Sequence, residues 1–151
     1  ATGTGHGGEI SHEALFADAF GVVCRADHPL AAGKVPVPWT ALAPFPFIAN
    51  GICRAIAHED FQPVFAASRL MVRNTSSLLA MLRAGLGITV LPRLAVDRDD
   101  SDIRFLPLAD ADAKRRIDIL RRAQTSLSPA AQAFEAALRE VAGKIVLAER
   151  A

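Results

Sequence analysis

Cysteine is scarce in this chain of 151 residues. Only Cys24 and Cys53 occur, far apart and in no ligand-spaced pattern. A disulfide framework needs more, so reduced thiols in a bacterial-type cytosol are the simplest reading, and a cytoplasmic location is expected. An excess of charge is also missing. Seventeen basic and sixteen acidic side chains leave a net +1, so nothing in the balance asks for nucleic acid or an anionic membrane surface. No apolar run approaches the roughly 20 residues of a membrane span, and no basic segment followed by an apolar one opens the chain. An initiating methionine is lacking too. The sequence starts at Ala1 and its only methionines are Met71 and Met81, which reads as a piece of a longer protein.

What is present is globular. Hydrophobic residues make up 51% and charged residues 22%, well outside the disordered range. The opening ATGTGHGGEISH (1–12) is glycine-rich and aperiodic, a loop or flexible end. Its His6 and His12 have no carboxylate or cysteine at a ligand spacing, so neither a metal nor any other cofactor is expected. EALFADAFGVVCR (13–25) suggests two short extended pieces, the better one at Phe20–Cys24. The four prolines of VPVPWTALAPFP leave room for one helical turn at TALA. FIAN (47–50) reads as a short buried strand ending in the turn signal Asn50-Gly51. RAIAHEDFQPVFA (54–66) reads as a helix that ends or kinks near Pro63, and SRLMVRN (68–74) as a strand.

TSSLLAMLRAGLGITVLP (75–92) reads as a helix over Thr75–Ala84, a glycine stop, and a strand over Ile88–Leu91. PRLAV opens a short helix on its proline. IRFLPL (103–108) and KRRIDILRR (114–122) are extended. In the final segment Ser128 is a good N-cap and Pro129 a good first helical residue. Phe134, Leu138, Val141 and Ile145 form one apolar stripe on that helix. Strands alternating with helices predict an α/β fold on a mostly parallel sheet.

Chemistry is sparse. No serine sits in a G-x-S-x-G elbow, and His28 and His58 gather no partner set for nucleophilic catalysis, so no catalytic residues are assigned. The glycines of AGLG (84–87) follow a helix, whereas a dinucleotide fingerprint needs them between a strand and a helix start. They read instead as a left-handed helix stop at Gly85 and a tight return to the sheet at Gly87. The polar run His58-Glu59-Asp60 is not co-facial on a helix, and the cations of Lys114–Arg122 read as a solvated strand. Binding remains. Ligands of open α/β sheets sit outside the carboxyl ends of strands. Two such ends are polar here, Asn50-Gly51-Ile52 and Asn74-Thr75-Ser76. The second lies at the positive end of a helix dipole, which suits an anion.

FADAFGVVCRADHPLA, WTALAPFPFI, VRNTSSLLAMLRAGLGITVLPRLAV and IRFLPLADADAKRRIDILRRAQTSLSPAAQAF, in this order, resemble the effector-binding domain of LysR-type transcriptional regulators. The resemblance implies a type II periplasmic-binding-protein-like α/β fold, with two lobes joined by two crossover strands and a small effector between them. The crossovers would lie near Phe16–Asp18 and Phe105–Leu108. Residues 1–17 would then end regulatory lobe I and form the first crossover. Residues 18–107 would form lobe II. Residues 108–151 would make the second crossover and return to lobe I with the C-terminal helix.

The family's winged helix-turn-helix and the front half of lobe I have no counterpart in these residues. DNA contact is therefore expected only through a helix-turn-helix domain outside this chain, and lobe I is expected to be incomplete. The stripe on the final helix would need another cover, such as a second chain, giving a dimer or tetramer. The expected effector contacts are Asn50, Gly51, Ile52, Asn74, Thr75 and Ser76, for a small metabolite of anionic character. Cys53, in ANGICR, resembles the reactive cysteine of the family's peroxide sensors. Arg54 and the nearby helix start are expected to lower its thiol pKa, although AIAHEDFQ has no second, resolving cysteine. Redox sensing through Cys53 and a solute-binding receptor of the same fold are the alternatives to a metabolite sensor.

Overall fold

A computed structural model of the protein describes residues 10–122 and 126–150. Part of the glycine-rich opening, with His6, lies outside these. The chain forms two compact units, Ala1–Ala17 with Arg116–Ala151, and Asp18–Arg115.

The second unit is built on a mixed sheet. Its central strand is β1, Ile10–Arg25, flanked antiparallel by β4, Thr89–Pro92, and β5, Ile103–Pro107. Val22 pairs with Val90 on one side and Leu106 on the other. Strands β2, Ile48–Ala49, and β3, Leu70–Met71, pair in parallel. A parallel bridge between Phe47 and Ile88 joins them to the β4 side. The sheet therefore reads β3-β2-β4-β1-β5, and the mostly parallel sheet expected from the alternation of elements is corrected to a mixed one. Hydrophobic pattern marks β1 as doubly buried, which suits a parallel strand, but it carries no information about strand direction.

Side chains alternate across this sheet and build two cores. Phe20, Val22, Cys24, Ala49 and Val90 face Trp39, Phe61 and Val64. Val23, Ile48 and Leu91 face Leu78 and Leu82. The last two lie on α2, Thr75–Arg83. Each fully buried side chain of this size contributes about 1.5–3 kcal/mol of burial free energy. Asp18 is fully buried in the middle of β1. Its Oδ1 accepts the Leu94 N–H at 3.2 Å and its Oδ2 accepts Arg115 Nε at 3.0 Å. A strand interior can hold that carboxylate because both oxygens are partnered. The expected break between two extended pieces is absent, and one strand runs through Asp18.

Three local expectations change or hold for identifiable reasons. The helix expected over 54–66 is a 3-10 turn at Gly51–Ala55 followed by α1, Gln62–Ala67, with Pro63 in its first turn. Proline lacks only an N–H that the first turn does not use, so it starts this helix instead of ending it. The strand expected over 68–74 is confined to Leu70–Met71. The glycine stop is as read. Gly85 has φ +74°, Gly85 N–H donates to Leu82 O at 2.9 Å, and Leu86 N–H donates to Met81 O at 3.1 Å, a Schellman closure. At Gly87 a Cβ would lie 2.3 Å from the Pro46 carbonyl oxygen. That carbonyl accepts the Ile88 N–H at 2.9 Å, so the parallel junction needs glycine there.

In the first unit, β6, Lys114–Arg122, pairs with β1, and α3, Pro129–Arg150, follows. Ser128 Oγ caps α3 by accepting the Ala131 N–H at 3.2 Å. His12 is part of β1, not of a loop, with Nδ1 3.9 Å from Asp118. The inward face of α3 centres on Glu135 and Ala142, which are buried, while Phe134 and Val141 are 65% and 52% exposed. The apolar stripe therefore straddles the packing edge. A charged cluster holds the helix to the strands. Glu13 accepts from Arg139 Nε at 2.7 Å and also from Arg121, while Glu135 pairs with Arg121 Nε at 3.1 Å and Arg139 at 3.1 Å.

Hydrogen bonding to Arg139, aided by its charge and by Arg121, holds the Glu13 carboxyl at about 2, below its ordinary 4.5. A depressed carboxyl stabilises the fold above its unfolded pKa and loses that contribution as pH falls. An NMR titration should find Glu13 ionising near pH 2, moving toward 4.5 in Arg139→Ala. The variant should release α3 at a higher pH than the parent on acidification, read from the amides of β6.

Candidate functional site

The site begins with Asn50. It is buried, and all the hydrogen-bonding groups of its side chain point into the protein. Nδ2 donates to Thr89 Oγ1 at 3.0 Å and to Val90 O at 2.9 Å, and Oδ1 accepts the Ile52 N–H at 2.9 Å. Thr89 Oγ1 in turn donates to Ile48 O at 2.7 Å. This ring ties the end of β2 to β4 and starts the 3-10 turn that presents Gly51 and Ile52. Asn74 acts in the same way at α2. Its extended backbone (φ −95°, ψ 123°) lets Oδ1 accept the Ser77 N–H at 3.0 Å, a standard N-cap. The N–H groups of Thr75 and Ser76, in the first helical turn, have no intrahelical acceptor.

These elements enclose a cavity of about 150 Å³ lined by Asn50, Gly51, Ile52 and Thr75, together with Arg73, Leu78 and Leu91. Four of the six expected contact residues therefore line one space. Asn74 and Ser76 flank it at the start of α2 without lining it. Arg73 is the residue that sequence reasoning missed. Its signal was a cation directly before the Asn74 cap, where its charge adds to the positive end of the α2 dipole. An apolar cavity of similar size holds a benzene molecule, so this one has room for a group of that size.

The cysteine reading changes. Cys53 is fully buried, and burial pushes its thiol up, outweighing the backbone N–H groups around it. Arg54 Nη2 lies 3.8 Å from Met71 Sδ, and Arg54 is not among the groups that shift the thiol. The expectation of a lowered pKa is reversed, because desolvation of the thiolate is the largest effect. Cys24 is likewise pushed up to about 11 by burial. His28 and His58 serve the backbone. His28 Nδ1 accepts the Leu30 N–H, and His58 Nδ1 accepts the Asp60 N–H, each at 3.2 Å. Desolvation holds His28 below its ordinary pKa. Among the described residues no group of three His, Cys, Asp or Glu side chains could hold a metal ion. Among the same residues no helix is long and apolar enough to cross a membrane.

Two expectations follow. Asn50→Ala should cost about 1–3 kcal/mol for each buried partner left unsatisfied, read as a lowered denaturant midpoint. Cys24 and Cys53 should alkylate more than roughly tenfold slower in the native protein than in urea, as followed by peptide mass spectrometry. Fast native labelling of Cys53 would contradict its buried state.

The model of the LysR substrate binding domain matches residues 1–143. The HTH-type transcriptional regulator YbhD of Escherichia coli (strain K12) is 33% identical over 135 residues, which is 85% of this chain and 42% of the regulator. The chain thus spans less than half of that relative's length. Among solved structures, the Synechocystis PCC6803 CcmR regulatory domain in complex with 2-PG is 24% identical, with a TM-score of 0.66 over 94% of this chain and 71% of the other. The effector binding domain of QuiR in complex with shikimate is 16% identical, with a TM-score of 0.62 over 89% and 66%. These likenesses establish the periplasmic-binding-protein-like α/β fold, and the family match makes the chain a member of the LysR substrate-binding domain family, whose proteins are transcriptional regulators.

Proposed function

We propose that this chain is the effector-sensing part of a cytoplasmic transcriptional regulator, and that it binds a small acidic metabolite without transforming it. The observation that carries the reading is the cavity formed by Asn50–Ile52 and Thr75, with Arg73 on its wall. Its side chains divide into two kinds. The whole amide of Asn50 and the Oδ1 of Asn74 are used up in holding the backbone. Thr75, Ser76 and Arg73, with the backbone of Gly51 and Ile52, are left to meet a ligand. An acid group there gains a guanidinium, hydroxyls and first-turn amides together. The bound molecules named for CcmR and QuiR, 2-PG and shikimate, support a small-metabolite ligand without identifying this one.

In this reading DNA contact belongs to a helix-turn-helix domain of the whole regulator, and the chain self-associates as a dimer or tetramer to transmit the bound state. The exposed Phe134, Val141 and Leu147 of α3 support further packing on that helix.

A thermal-shift panel of small carboxylates and phosphate esters, shikimate included, tests the proposal. A true effector at 100 times its Kd stabilises by about 2.7 kcal/mol. Arg73→Gln and Thr75→Val should each weaken it by roughly tenfold or more, the worth of a charge-assisted or lost polar contact. Retention of full affinity by both variants would sink the assignment of this site.

A further inference from the structure

The unit Asp18–Arg115 holds a second cavity at the other end of the same strands. Strands β2 and β3 run parallel, and the Phe47–Ile88 bridge adds β4 in the same sense. Their starting residues therefore share one edge of the sheet and their ends share the other. The candidate effector site follows Ala49 and Val72. The second cavity precedes Ile48, Leu70 and Thr89, so the two are separate by topology.

This cavity measures about 310 Å³, twice the other, and its lining includes Phe45, Phe47, Val64, Leu70, Leu86 and Arg69. Leu70 and Leu86 are 42% and 53% exposed, so apolar surface is left facing water there. The cavity asks for no polar ligand atom in its base. Ser68 Oγ already accepts the Ala49 N–H at 3.2 Å and lies 2.9 Å from Phe47 O and 3.0 Å from Leu70 O. The Leu82 and Met81 carbonyls near the end of α2 are also occupied, by the N–H groups of Gly85 and Leu86. One formal charge lines the cavity, on Arg69. Among the described residues no carboxylate pairs with it, whereas Arg25, Arg83 and Arg115 of the same unit are paired with Asp27, Asp100 and Asp18.

We propose that this cavity is a second ligand site, independent of the effector site, and that it takes a small apolar monocarboxylate. A ring or branched chain lies among Phe45, Phe47, Val64 and Leu86, and the carboxylate meets Arg69. The size fits, since a dry apolar cavity of about 150 Å³ already accommodates benzene and ligand pockets start near 300 Å³. The charge fits, since a guanidinium fork matches a carboxylate in a bidentate pair.

Phenylacetate and its neutral isostere phenylacetamide are the probes, titrated into the whole chain and followed by amide NMR. Phenylacetate should cause saturable shifts at Phe45, Phe47 and Ala67–Leu70 and leave Gly51, Ile52, Thr75 and Ser76 in place. Phenylacetamide should bind roughly tenfold more weakly. Arg69→Gln should erase that difference, and Arg69→Lys should restore part of it. Leu86→Glu, at an exposed position, should abolish binding of both while its circular dichroism melt stays cooperative. Absence of saturable shifts overturns the proposal. So do shifts confined to Gly51, Ile52, Thr75 and Ser76, or equal binding of acid and amide. Shifts at the cavity amides on dilution alone overturn it as well, because they mark a second copy of the chain as the occupant. A metabolite that moves only Thr75 and Arg73 bears on the effector site and leaves this test intact.

Discussion

Everything at the candidate site hangs from the buried amide of Asn50. A buried amide is costly unless each of its groups is partnered. Here the partners are Thr89 Oγ1, Val90 O and the Ile52 N–H. Satisfying Asn50 therefore requires β2 to end opposite β4 and requires the chain to turn at once. The same bonds that stabilise the turn fix where Gly51 and Ile52 lie. The position of the cavity wall is a consequence of hydrogen-bond satisfaction within the protein.

The mixed sheet explains why two cavities arise at opposite edges. The parallel group β3-β2-β4 gathers its carboxyl ends on one side, where α2 begins. It gathers its starting ends on the other, where α2 stops on Gly85 and the chain returns at Gly87. The close approach of Gly87 to the Pro46 carbonyl brings the proline-rich 43–47 segment against the start of the sheet. Antiparallel β1 and β5 contribute rigidity instead of loops to this arrangement, because their side chains fill both cores.

The sequence was most legible where one residue has one physical solution. Gly85 as a helix stop, Ser128 as a cap and Asn50-Gly51 as a turn each follow from local chemistry, and each holds. It was least legible where a residue has two solutions. Pro63 ends a helix or begins one, and the difference lies in whether the preceding segment has a core face. The stretch 54–61 has too little to bury, with only Ile56 and Phe61 buried. Asp18 reads as a strand breaker unless Arg115, 97 residues away, is already in place. Strand direction in β1 and the burial of Cys53 depend on tertiary contacts that no local pattern encodes. Arg73 escaped notice because a cation beside a cap is ordinary until the turn at Gly51 is brought against it.

The residues that build a binding site and those that choose its ligand need not be the same. Asn50 and Asn74 are the polar residues that sequence reasoning finds first, since turns and caps favour asparagine. For that reason the fold consumes the whole amide of Asn50 and the Oδ1 of Asn74. In the proposed reading, ligand chemistry then falls to the Arg73 guanidinium, the Thr75 and Ser76 hydroxyls and the first-turn amides. A scaffold of this kind can keep its asparagines while residues 73, 75 and 76 vary, changing the metabolite recognised without disturbing the turn or the cap. In the proposed reading, ligand identity is set on the α2 side of the cavity, and the β2 side supplies its geometry.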